Sequence, residues 1–214
     1  MTVSMLSPAE MPRIVRVFSD AFHDYPVMRY VLGPEPRYDD RLETLVGLFV
    51  SGRVFRNDPL LGIFGEGGEL VAAATMTLPG DPGPPAAMIA HREAVWGELG
   101  PDARTRYEAF SAAARRFGID APHHHLNMIG VRRTHQGRGL SRRLLEAVTA
   151  LAGSDPRSTG VSLSTEHPRN LSLYAHFGYR IEGHARVAET LETWTLFRPA
   201  DYLSRGPSSD GVEA

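Results

Sequence analysis

The amino-acid order predicts a mixed α/β fold of the α+β kind. Three observations carry that reading. Helical periodicity dominates the start of the chain, strand-like runs dominate the middle and end, and a strand, glycine turn, helix and strand follow one another between His123 and Thr165.

The elements follow in order. Ser7-Pro8-Ala9-Glu10 has the form of a capping box with proline at the first helical position. A helix is expected from there through Met11, Ile14, Val15, Phe18 and Phe22, stopping near Asp24-Tyr25-Pro26. A second runs through Leu42, Leu45, Val46 and Phe49 and ends before Asn57-Asp58-Pro59. Leu60 to Phe64 and Leu70 to Leu78 read as a hairpin about Gly67-Gly68. Pro79 to Pro85 is a proline and glycine break, and Ala86 to Phe117 reads as helical with an interruption at Gly100-Pro101. A strand from His123 to Val131 leads into a helix from Gly139 to Ala152, with Leu140, Leu144, Leu145, Val148 and Leu151 on one side. Val161 to Thr165 is a further strand, Pro168 to Phe177 a short helix with Gly178 after it, and two strand-like runs end at Phe197. The expected organisation is one domain over residues 1–199, a helical insert at 79–118 and a flexible tail at 200–214.

Composition removes several chemistries. The 214 residues hold 23 basic and 25 acidic side chains, a net charge of −2, without the field of a general nucleic-acid binder, so any anion site must be local. Cysteine is absent, which excludes disulfides, thiolate zinc sites and thiol nucleophiles. All the basic residues are arginine, so neither a Schiff-base lysine nor the lysine of a phosphate loop is available. Met1 to Leu6 carry no basic segment followed by an apolar core, and no stretch approaches the ~18 apolar residues of a membrane span. A soluble cytoplasmic protein with no membrane or nucleic-acid partner is expected, with a homodimer left open.

Between the strand ending at Val131 and the helix that follows stands Arg132-Arg133-Thr134-His135-Gln136-Gly137-Arg138-Gly139-Leu140-Ser141. Its glycines allow several N–H groups to turn inward together, and the helix start adds a partial positive charge, the makings of an anion cradle. Arg132, Arg133, Arg138, Arg142 and Arg143 supply a local basic excess suited to a polyphosphate. A tight connection beside solvated arginines is the plainer alternative. A dinucleotide fingerprint is disfavoured, because Arg142 stands where its third glycine belongs. Downstream, Asn170 and Tyr174 share one face of the short helix, while Leu173 and Phe177 point together elsewhere as a packing face.

The pattern Gln136-Gly137-Arg138-Gly139-Leu140-Ser141 matches [RQ]-x-x-G-x-[GA] in all but its last residue. Followed by Asn170, Tyr174 and Phe177-Gly178-Tyr179, it resembles the GNAT family of N-acetyltransferases. The resemblance implies a mostly antiparallel central sheet flanked by helices, acetyl-CoA as co-substrate, and no metal. It implies that Gln136, Gly137, Arg138, Gly139, Leu140 and Ser141 hold the coenzyme diphosphate and that Ile129, Gly130 and Val131 bond the pantetheine arm through their backbone. Asn170 would touch that arm, and Tyr174 would protonate the leaving thiolate. Ser141 departs from the family's glycine or alanine.

Without cysteine, transfer to a small-molecule amine would be direct, so proximity carries much of the rate. Tyr174 is the candidate acid. For the base, His125 shares a strand side with Asn127 and titrates near neutrality, with Glu93, Glu166 or no dedicated base as alternatives. His124 should face the other way, and adjacent strand histidines do not converge on a metal. The segments Ala21 to Gly33 and Pro79 to Phe117 are the expected acceptor pocket, where Asp24, Glu93 and Glu98 could attract a cationic amine or merely be solvated. A non-catalytic acyl-CoA sensor of the same fold is the alternative function.

Overall fold

A computed structural model describes residues 1–34, 36–80 and 83–200. In chain order the elements are β1 (Val3–Met5), α1 (Met11–Phe22), α2 (Pro26–Leu32), α3 (Tyr38–Phe55), β2 (Leu60–Phe64), β3 (Leu70–Thr77), α4 (Ala86–Leu99) and α5 (Pro101–Ala114). After them come β4 (His124–Val131), α6 (Leu140–Ser154), β5 (Gly160–Thr165), α7 (Arg169–His176), β6 (Arg180–Ala188) and β7 (Leu191–Pro199). The strands form one sheet in the order β1-β2-β3-β4-β5-β7-β6. Only β4 and β5 run parallel; the other neighbours are antiparallel.

Strand alternation divides the apolar side chains between two cores. Ala73, Leu70, Leu60 and Met128 face α1, α2 and α3. Ala72, Ala74, Met76, Leu126, Val131 and Leu163 face α6, which buries Leu140, Leu144, Leu145 and Val148 at helical spacing. The central β3 and β4 are therefore covered on both sides, which is why the run Val71 to Ala74 reads as continuously apolar rather than alternating. Trp96, Leu99 and Ala103 attach the α4–α5 pair to the first core.

Several expectations need correction. Ser7 makes no capping hydrogen bond; Pro8–Glu10 is a single 3-10 turn, and α1 begins only at Met11. The stop at Pro26 is real, but Pro26 also opens α2, a helix of seven residues whose two turns are too short to show a period. The three-residue edge strand β1 gives no readable alternation either. On α7 the packing side differs from expectation: Tyr174 is buried and Leu173 is 38% exposed, because the second core lies on the tyrosine's side. Part of the expected tail, residues 201–214, lies outside the described residues, as do Asp81 and Pro82 of the expected break.

Gly130 sets the distance between α1 and β4. A Cβ there would stand 2.9 Å from Phe18 Cδ1 and 3.0 Å from Ala21 Cβ, so a side chain would push the helix off the sheet. Gly130→Val is expected to cost about 1–3 kcal/mol of stability by overpacking. An unchanged midpoint in chemical denaturation would refute this close packing.

Candidate functional site

The parallel pairing of β4 with β5 lasts only from His124 and Val161 to Leu126 and Leu163. Beyond that point β5 stays with β7 as far as Thr165 and Trp194, while β4 stays with β3 as far as Val131 and Ala72. The two strands separate, and residues 127–131 have no strand partner on the β5 side. A cleft of about 680 Å³ opens there, within the ordinary range for small-molecule sites.

Of the residues singled out from the sequence, His125, Ile129, Gly130, Val131, Gln136, Asn170 and Tyr174 line this cleft. Gly137, Arg138, Gly139, Leu140 and Ser141 stand outside that lining, in the bend that joins β4 to α6. Gly137 and Gly139 have φ of 75° and 73°, left-handed values that glycine adopts without strain. Space beside both is open: no atom comes within 4 Å of where a Cβ would stand. No side chain caps α6, so the first-turn amides are left for another acceptor. Gln136 Nε2 donates to the Val131 carbonyl at 3.2 Å and closes the bend.

The basic excess is distributed rather than pooled. Arg133 is tied to the first half of the chain, its main-chain N–H to Asp20 (2.7 Å) and its guanidinium to Asp24 (3.0 Å). Arg138 donates to the Thr134 carbonyl, Arg142 meets His176, and Arg143 donates to the Met1 carbonyl.

At the inner end of the cleft, hydrogen bonds hold β5 apart from β4. Tyr25 Oη lies 3.1 Å from Thr165 Oγ1 and accepts from the Glu166 main-chain N–H, also at 3.1 Å. Asn170 Nδ2 donates to Thr165 Oγ1 at 3.1 Å, so this asparagine braces the start of α7. Thr193 Oγ1 donates to Glu166 Oε1 at 2.8 Å. Glu166 is buried, and loss of hydration pushes its carboxyl up to about 7 against the opposing bonds from Thr193 and Tyr25. Tyr174, also buried, is pushed up to about 12 by burial and by the neighbouring Glu166. His167 Nδ1, buried in the same lining, has no hydrogen-bond partner among the described residues.

His125 projects into the cleft, and its Nδ1 lies 2.8 Å from Ser162 Oγ. Burial, with His123 and Arg53 adding positive charge, pushes the imidazole down to about 4. It is therefore neutral at physiological pH and holds a proton weakly, unlike the near-neutral titration expected from its reference value. His124 faces the other way, its Nδ1 2.9 Å from Ser158 Oγ. Among the described residues no group of three or more His, Asp or Glu side chains is arranged to hold a metal ion.

The remaining cleft walls come from Ala21, Phe22, Tyr25, Val27, Met28 and Val31, and from α4 and α5. To these α3 adds Leu45, Leu48, Phe49 and Arg53, none of which belongs to the expected pocket: from the sequence Leu45 and Phe49 read only as the apolar face of a helix. Arg53 is ion-paired with the buried Asp58 at 3.1 Å and donates to Thr77, whose hydroxyl donates to Asn127 Oδ1 at 3.0 Å. This chain of contacts ties α3 to β4. Asp24, Glu93 and Glu98 all lie outside the cleft lining; Asp24 binds Arg29, Glu93 binds Arg104 and Glu98 accepts from Thr44.

A parted parallel pair, a glycine bend leading into an uncapped helix and a buried tyrosine beyond make up the site. Residues 103–181 match the family model described as an acetyltransferase (GNAT) domain. The fold is similar to that of a Corynebacterium glutamicum protein described as a histone acetyltransferase and related acetyltransferase. That likeness has a TM-score of 0.70 at 23% identity, over 93% of this chain and 96% of that one. A polyamine N-acetyltransferase of Drosophila melanogaster, which forms N-acetylagmatine, matches with a TM-score of 0.64 at 20% identity, over 92% and 97% of the two chains. A mosquito arylalkylamine N-acetyltransferase-like protein matches at 0.58 and 17%, over 92% and 99%. Among the described residues no helix is long and apolar enough to cross a membrane.

Because Glu166 holds a proton more tightly in the folded chain than at its ordinary value of 4.5, ionising it weakens folding. Stability is expected to fall by roughly 1–3 kcal/mol as pH rises from about 5 to about 8. Glu166→Gln should remove that part of the fall. Denaturation curves of the two proteins at both pH values check it, and parallel losses would mean the carboxyl is not strained by burial.

Proposed function

We propose that this chain is an acetyl-CoA-dependent N-acetyltransferase that moves the acetyl group directly onto a primary amine of a small molecule. The observation that carries the reading is the pair Tyr174 and Glu166. They are two buried titratable groups that burial raises to well-separated proton affinities, about 12 and about 7, both lining the cleft that the parting of β4 and β5 opens. The cleft fits the coenzyme: residues 127–131 lack a strand partner on the β5 side, the uncapped start of α6 offers first-turn amides, and His167 offers a ring nitrogen without a partner among the described residues.

Ile129, Gly130 and Val131 hold the coenzyme arm through main-chain groups, and Gln136, Gly137, Arg138, Gly139, Leu140 and Ser141 surround its diphosphate. Asn170 keeps one amide proton on Thr165 and has its carbonyl oxygen left for the arm. Acetyl-CoA supplies the thioester carbonyl that the amine attacks. With no cysteine in the chain, the acetyl group is not parked on a protein thiol. Tyr174, pushed up to about 12, stays protonated across the working range and donates to the departing sulfur. Glu166, pushed up to about 7, takes a proton from the incoming ammonium directly or through water.

A second reading keeps His125 as the base. Its ring is neutral, lines the cleft and makes its one hydrogen bond to Ser162. Its low proton affinity makes it the weaker acceptor of the two.

Within the family, the segments Ala21 to Pro26, His135 to Leu140 and Pro168 to Asn170 resemble puromycin N-acetyltransferase. That likeness touches the end of α1 and the coenzyme half. It leaves out α3, α4 and α5, which wall the rest of the cleft.

Thiol release from acetyl-CoA across a panel of amines tests the activity. Tyr174→Phe is expected to lower turnover by about 10²–10⁴, and a loss under about threefold would remove it as the acid. With Glu166 as base, kcat/KM should rise with pH and level off near 7, and Glu166→Gln should abolish that limb. A limb that persists in Glu166→Gln and vanishes in His125→Ala would transfer the role to the histidine. Coenzyme binding with no release for any amine would favour a non-catalytic acyl-CoA sensor.

A further inference from the structure

The cleft continues past the coenzyme half into an aromatic box. Phe49, Trp96 and Phe110 surround Tyr107, their ring centroids 5.6, 5.0 and 6.5 Å from its own, and all four line the cleft. Charge in the lining is one-sided. Arg53, Arg92 and Arg115 stand at this helical end, while Glu166, beyond the end of β5, is the one carboxylate among the described lining residues.

The three guanidinium groups differ in how far they are already neutralised. Arg53 is committed to Asp58. Arg92 lies 3.6 Å from Glu93, but that carboxylate is held more closely by Arg104 at 2.7 Å. Arg115, in the turn after α5, has no ion-pair partner among the described residues. Burial raises the Tyr107 hydroxyl, and Arg115, Arg53 and Arg92 all oppose that rise, which places their positive field on the same ring.

A second cation on the acceptor, as in a polyamine or aminoglycoside, would meet like charge at this end. An anion would instead find planar donors in the fork geometry that suits carboxylate and phosphate oxygens. Between that end and the parted strands, the rings offer flat apolar surface to a body of matching shape.

Building on the acetyl-transfer reading above, we propose that the acceptor is an amine on an apolar, aromatic-sized body whose far end bears an anionic group, a carboxylate or a phosphate, received by Arg115 and Arg92. This specificity is opposite in sign to that expected for a polyamine acceptor.

The test is thiol release from acetyl-CoA with four matched amines: benzylamine, p-(aminomethyl)benzoate, p-(aminomethyl)phenyl phosphate and p-xylylenediamine. At least one anionic amine should exceed the diamine in kcat/KM by about tenfold or more, as expected for a hydrogen bond to a charged group. Whichever anion leads identifies the group. The ratio of that anion to benzylamine should fall by about tenfold in Arg115→Ala or Arg92→Ala. A diamine that leads the series, or a ratio that survives both substitutions, overturns the anion site while leaving acetyl transfer standing. A binding measurement that needs no turnover separates the two claims. In a Trp194→Phe background Trp96 is the sole tryptophan, and its fluorescence is titrated with p-toluate, p-tolyl phosphate and p-methylbenzylamine. Saturation at lower concentration by an anion supports the site even if no amine releases thiol, in which case it is acetyl transfer that fails. Tighter binding of the amine overturns the site.

Discussion

The parting of β4 from β5 is the constraint on which the rest of this molecule depends. A strand edge inside a sheet normally finds its partner, because unpaired backbone donors and acceptors cost free energy when taken from water. Here β4 gives up its partner after Leu126 although both of its faces remain covered, by α1 on one side and α6 on the other. The gap is maintained by polar contacts on β5: Thr165 is held by Tyr25 and Asn170, and Glu166 by Tyr25 and Thr193. Those residues come from the start of α2, from α7 and from β7. The cleft is thus a product of three distant segments holding one strand end, and the chemistry proposed for it borrows the same residues.

Burial works in opposite directions on the groups placed there. Desolvation holds a phenol and a carboxylic acid in their protonated forms and an imidazole in its neutral form. For Tyr174 this keeps the phenol protonated, for Glu166 it brings the carboxyl toward neutrality, and for His125 it yields a neutral ring of low proton affinity. A buried carboxylate without a cationic partner is a cost to folding that a purely structural position has little reason to bear, which makes it informative about function.

Legibility from the sequence followed the range of the interactions involved. The helix α6 and the bend before it were readable because apolar spacing and a pair of glycines are local signals, and their positions in the structure agree to within a residue or two. The β2–β3 hairpin was readable for the same reason. By contrast, α2 and β1 are shorter than the periods that would reveal them. The wrong packing face assigned to α7 has a similar origin. In eight residues a polar and an apolar stripe cannot be separated by pattern, and Tyr174 rather than Leu173 proved to face the core. Glu166 could be named as an alternative base but not preferred, because its proton affinity is raised by tertiary burial and only partly offset by bonds from Tyr25 and Thr193, 141 and 27 residues away. The titration of His125 was unreadable for the same reason: its reference value says nothing about the walls that bury it.

The two halves of the cleft consequently have different relations to the chain. The residues proposed for the coenzyme come from one stretch of chain, from β4 through the bend to α7. The proposed acceptor half is assembled from α1 to α5, and α4 and α5 are inserted between β3 and β4 without interrupting the pairing of those strands. Residues on this helical pair can therefore change charge and shape without moving β3 or β4. One connection limits that freedom. Asp58, Arg53, Thr77 and Asn127 join α3 to β4 through polar contacts that run from the buried Asp58 to the exposed Asn127. Loss of Arg53 would leave the Asp58 carboxylate short of its nearest cation and free the Thr77 and Asn127 side chains beside the parted edge. The arginine is accordingly better understood as a strut between acceptor wall and sheet than as a ligand for the acceptor. Arg115 and Arg92, held by weaker contacts or none, remain the cations available to a bound anion.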